Sequence, residues 1–81
     1  MTKEMILDEI INLITIHKES LLNESFLSSI IGKATVQIIK NHWIFKKLED
    51  DESLREWIHI SLEKIFGEDI HKISKNLNLR W

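Results

Sequence analysis

The 81-residue sequence contains no cysteine, no proline and only two glycines. Without cysteine there is no disulfide to staple a small fold and no thiolate to hold a metal ion. With no proline and so little glycine, breaks in the chain must come from polar clusters and helix caps. Long apolar runs are missing as well: no uncharged stretch approaches the roughly 18 residues that a membrane span needs. The N-terminal MTKEMILDEIINLITI carries Glu4, Asp8 and Glu9 where a signal peptide needs a basic start and a clean apolar segment. These absences lead to the expectation of a cytoplasmic protein with no membrane partner.

Charge of one sign is also lacking. Eleven basic residues against 13 acidic ones leave a net charge of −2, which counts against a nucleic-acid binder. The balance is uneven along the chain. No acidic residue lies between Ser25 and Leu48, where Lys33, Lys40, Lys46 and Lys47 fall, and the run Glu49-Asp50-Asp51-Glu52 follows at once. What the chain has in quantity is apolar side chains, 43% of the total and rich in Ile and Leu. A chain this short is marginal on its own core unless something helps it. Burial against a second copy supplies such help, so the expectation is a homodimer.

Periodicity gives the fold class. From Lys3 to about Lys18, Leu7, Ile10, Ile14, His17 and Leu21 recur three and four apart, which is a helix period. Leu27, Ile31, Ala34, Ile38, Asn41, Phe45 and Leu48 continue that alternation and predict one long central helix over 24–48, capped by Asn23. Its opposite side carries Ser25, Ser28, Ser29, Gly32 and Thr35, small residues that let a neighbouring helix or a second copy approach closely. Asn41 interrupts the apolar seam, a place where one polar residue can fix register. Residues 34–45, ATVQIIKNHWIF, are β-branched enough to read as a strand, but no second strand candidate exists to pair with them. Ser53 and Glu56 fit a capping box opening a third helix, with Leu54, Ile58, Ser61, Leu62 and Ile65 inward and Gly67 ending it. Asp69 then caps a short fourth helix through Ile70, Ile73 and Leu77. The expected fold is all-α, a small bundle of three main helices plus a short C-terminal one, in one domain over 1–81.

Chemistry-bearing patterns are sparse. His59 and Glu63 sit one helical turn apart with Glu56 on the same face, but no His-Glu-x-x-His arrangement accompanies them. The four consecutive acids point in different directions rather than converging as an acid/base pair. There is no glycine-rich phosphate loop and no Gly-x-Ser-x-Gly elbow. So small a chain also has little volume for a water-excluding pocket of about 300 Å³. The expectation is no catalytic residues, no metal and no cofactor.

The strongest recognition signal is KNHWIFKK, residues 40–47, which interleaves Lys40, His42, Lys46 and Lys47 with Trp43. Basic residues around an exposed tryptophan suit an acidic protein partner, and Trp81 offers a second aromatic anchor. The reading is a non-catalytic regulator or inhibitor that works by occupying another protein's surface. The alternative is a DNA-binding regulator. Leu27-Ser-Ser-Ile-Ile, Gly32 and Ala34-Thr-Val-Gln-Ile-Ile-Lys-Asn-His resemble a helix-turn-helix unit, whose second helix would present Gln37, Lys40 and Asn41 to bases or phosphates. The glycine stands about two residues too close to the Thr-Val pair for that motif. A composition heavy in Ile, Lys and Asn points to an AT-rich prokaryotic or viral genome.

Overall fold

The computed structural model describes residues 2–79, in six helices and, among those residues, no strand. They are α1 (Lys3–Leu21), α2 (Glu24–Ser28), α3 (Ile30–Lys40), α4 (Trp43–Glu49), α5 (Glu52–Phe66) and α6 (Asp69–Asn76). The fold is all-α, as the periodicity indicates, and the β-branched 34–45 segment is helical on both sides of a corner. The same backbone has no helix long and apolar enough to cross a membrane among the described residues.

The helix at the centre is α1, not the 24–48 segment. It starts where Thr2 Oγ1 accepts the amide hydrogen of Met5 at 3.3 Å, a regular N-cap. Ile6, Ile10 and Ile14, spaced by four, and then Leu21 are buried, and α1 packs against each of the other five helices. The helix runs almost one turn beyond Lys18, to Leu21, and the chain turns just after it, at Leu22 and Asn23. Its C-terminal end is tied to the end of the fold. Asn76 Nδ2 on α6 donates to the Leu21 carbonyl at 2.7 Å, and Lys18 pairs with Asp69 at 3.4 Å. An orphan carbonyl of α1 therefore gains a partner 55 residues away.

The single helix expected over 24–48 is three helices. Asn23 caps as the sequence indicates, its Oδ1 accepting from Phe26 N at 3.0 Å, but α2 ends after five residues. Ser29 breaks it with an extended backbone and caps α3 in turn: its hydroxyl accepts from Gly32 N at 3.0 Å and donates to the Phe26 carbonyl at 2.6 Å. A Cβ at Gly32 would lie 1.7 Å from the Phe26 carbonyl oxygen, so this corner closes only over a glycine. The chain passes through 32 and 33 as helix, and the break falls three residues earlier. A second break follows α3, where His42 Nδ1 accepts from Ile44 N at 3.3 Å and opens α4. Asn41 is thus an exposed C-terminal cap instead of a seam residue.

The C-terminal half closes tightly. Asp51, not Ser53, caps α5, its Oδ1 accepting from Leu54 N at 3.0 Å; aspartate caps as well as serine does. Arg55 reaches back to the last carbonyls of α4, donating to Leu48 O at 3.3 Å and Glu49 O at 3.2 Å. Ile58, Leu62, Ile70, Ile73 and Leu77 are fully buried, whereas Ile65 is exposed and Phe66 packs on the core instead. Gly67 ends α5 at φ +63°, a region open to glycine without strain. Asp69 is the first residue of α6, where it meets Lys18, and makes no cap. After α6, Asn78 at φ +56° completes a Schellman turn, with Leu79 N donating to Ser74 O at 2.9 Å.

Candidate functional site

Helix α3 has three faces. At 100° per residue, Gly32, Val36 and Ile39 lie together and turn inward toward α2 and α1. Lys33, Gln37 and Lys40 form a second, polar sector. The third holds Ile30, Ile31, Ala34 and Ile38, and here the three isoleucines are 87, 73 and 74% exposed. Side chains three and four apart on a helix are neighbours, so these four make a continuous apolar stripe. The cause is local. Gly32 lets the corner after α2 close against the small face, and with that face inward the isoleucine face must point outward. Residues at 31, 34 and 38, expected as core, are therefore surface.

The 40–47 segment is split by the α3–α4 corner. Lys46 and Lys47 are exposed on α4, Lys40 is half-buried at the end of α3, and His42 serves as a cap. Trp43 is 48% exposed, its ring tilted against His42 with 5.7 Å between centroids. Ile44, Phe45 and Leu48 from the same stretch belong to the core. Trp81 lies outside the described residues. Of the small residues, Gly32 is buried, Ser29 and Thr35 are half-buried, and Ser25 and Ser28 are exposed. The hydroxyls of Ser28 and Thr35 donate to carbonyls one turn back, Glu24 O and Ile31 O, at 2.8 Å each.

A cleft of about 590 Å³ opens between α4 and α5, lined by Lys40, Glu49, Asp50 and Arg55 among others. It is an open cleft and not a water-excluding pocket. Charged walls open to solvent make it wet, unlike the mostly apolar cavities that enclose small ligands.

A second cluster joins α5 to α6. His59 Nε2 is 2.6 Å from Glu63 Oε1, and His71 Nε2 approaches the same oxygen at 3.8 Å. The two imidazoles meet edge to face, 5.6 Å between centroids. Glu56, on the same side of α5 in sequence, is exposed and has no place among the clustered ligand atoms. The pair 59/63 is visible as an i, i+4 spacing; His71 arrives only through the reversal at Gly67, which spacing does not reveal.

Comparison of the chain with family models, with curated proteins and with solved structures gives no match.

Proposed function

We propose that the protein is a non-catalytic regulator or inhibitor that binds another protein through the outer face of α3, with Trp43, Lys46 and Lys47 on the adjoining α4. The observation that carries this reading is the exposure of Ile30, Ile31 and Ile38 around Ala34. A contiguous exposed apolar patch on a small protein is often a functional surface. Its rim argues for the partner's chemistry. Lys33 and Lys40 lie in the polar sector along one edge of the stripe, and no carboxylate occurs between Ser25 and Leu48. A second copy laid α3 on α3 adds two more lysines and no acid, whereas an amphipathic surface with acidic flanks satisfies both the stripe and its rim. The fitting occupant is therefore an acidic, amphipathic helix of another protein. An apolar stripe also speaks against DNA as the occupant of this face, since phosphates and base edges call for polar side chains.

The test is recovery of bound material from the native host with three baits: wild type, Ile31→Gln/Ile38→Gln and Trp43→Ala/Lys46→Glu. The expected result is a protein that stays bound at about 0.3 M salt, where phosphate contacts weaken steeply, and is lost with the isoleucine pair. Retention by the isoleucine variant overturns the reading. Recovery of nucleic acid that about 0.3 M salt releases favours the DNA-binding alternative, and self-association lost with the isoleucine pair favours the homodimer.

A further inference from the structure

The fold has no disulfide, so any cross-link between its helices has to come from other chemistry. Helix α6 is held to α1 by Asn76 and Lys18 and to the core by Ile70, Ile73 and Leu77. On the outer side of the α5–α6 pair, the reversal at Gly67 brings two imidazoles and a carboxylate together. Their ligand atoms all lie within 4.8 Å of one another. We infer that His59, Glu63 and His71 are the protein ligands of a zinc-class divalent cation that pins α6 to α5. This site is on a different part of the molecule from the α3 face and stands independently of the function proposed for it.

The donor set selects the class of ion. Calcium and magnesium take oxygen ligands in number, and one carboxylate oxygen does not satisfy them. Two imidazole nitrogens and one carboxylate suit zinc, which is content with three protein ligands and a water in a tetrahedron. Bonds of about 2.0–2.2 Å set the ligand atoms of such a tetrahedron about 3.3 Å apart. The observed separations of 2.6 and 3.8 Å bracket that value. His59 and Glu63 must part by about 0.7 Å, His71 must close on Glu63 by about 0.5 Å, and the two imidazole nitrogens, within 4.8 Å of each other, must settle at the same spacing. Rotamer adjustments of that size are available, because Glu63 and His71 are exposed and His59 is half-buried. The exposed side also gives the ion its entry path and leaves the fourth position to water.

The experiment titrates the full chain with Zn²⁺ by calorimetry and by thermal melting, for wild type, His71→Gln, Glu63→Gln and a control, His42→Gln. The expected result is one ion per chain, with a melting midpoint raised by roughly 5–10 °C at tenfold excess over the dissociation constant. Losing even an outer-shell partner of a metal ligand weakens binding 10–100-fold, so His71→Gln and Glu63→Gln each weaken it by at least about tenfold. His71 is on the surface and contributes no core contact, so its variant folds whether or not the site exists. Equal affinity in wild type and His71→Gln overturns the assignment. So does a stoichiometry of one ion per two chains, which places the ion between copies, or the absence of any binding by about 1 mM.

Discussion

Helix α3 carries six apolar residues in 11 and α6 only two in eight, yet it is the apolar-poor helix that buries all it has. In α6 the apolar positions Ile70 and Ile73 are closed off completely, as is Leu77 just after it. In α3, four isoleucines occur in 11 residues and only Ile39 is buried. The difference lies in neighbours. Helix α6 faces both α1 and α5, so a narrow stripe suffices to fill the space between them. Helix α3 packs mainly on α1 and on the five-residue α2, which together cover one sector of it. The remaining apolar sector is left uncovered by the described residues. An apolar count measures how much surface calls for cover; the arrangement of neighbours decides how much receives it.

The comparison can be broken most severely from the closed side. Ile58 is fully buried on α5, a helix that packs against α1, α4 and α6, and Ile58→Ala removes its packing and leaves a cavity. The expected cost is about 2–5 kcal/mol, read as the shift in denaturant midpoint at unchanged slope. A loss below about 0.5 kcal/mol would mean that this half of the core is far looser than the burial indicates.

Next in size is the corner that sets the orientation of α3. Gly32→Ala places a methyl group 1.7 Å from the Phe26 carbonyl oxygen, a backbone atom that no rotamer change can move aside. Alanine favours helix by roughly 1 kcal/mol over glycine at an ordinary interior position. Here the sign reverses: overpacking is expected to destabilise by about 1–3 kcal/mol, with the loss of amide-exchange protection concentrated in α2 and the first turn of α3. A variant as stable as wild type would show that α2 and α3 do not touch there.

These two residues also mark how far the sequence could be read. Ile10, Ile14, Ile58, Leu62, Ile70, Ile73 and Leu77 follow a helix period on segments whose inner face is unambiguous, and all are buried. The all-α fold class follows from the same pattern. Residues 24–48 defeat that reading because their period never falters. The stagger of Leu27, Ile31, Ala34 and Ile38 is compatible with one helix, and neither Ser29 nor His42 is a strong breaker. Each becomes a cap only because tertiary packing bends the chain there. With two candidate faces, one of isoleucine and one of small residues, the larger side chains look like the core. Close backbone approach at Gly32 reverses that preference, and sequence spacing holds no record of approach. The cap of α5 at Asp51 instead of Ser53 is a smaller case: two good caps stood two residues apart, and the start of the helix chose between them. His71 was hidden for a different reason, since the chain reversal that brings it to Glu63 lies between them.

The smallest expected effect sharpens the comparison most. Ile38→Ala makes the same truncation as Ile58→Ala, on the exposed face of α3. Among the described residues this side chain is 74% exposed, so little packing is lost, and alanine's higher helix propensity offsets what remains by a few tenths of a kcal/mol. The stability read from thermal unfolding should therefore stay within about 0.5 kcal/mol of wild type, or rise slightly. A loss of about 2 kcal/mol or more would instead mean that the stripe is covered in the purified protein. Cover by a second copy would show as a wild-type midpoint that climbs with protein concentration. A flat concentration dependence together with an unchanged Ile38→Ala midpoint leaves α3 as a face whose apolar surface contributes nothing to folding, the condition under which a binding role for it has the least competition from a structural one.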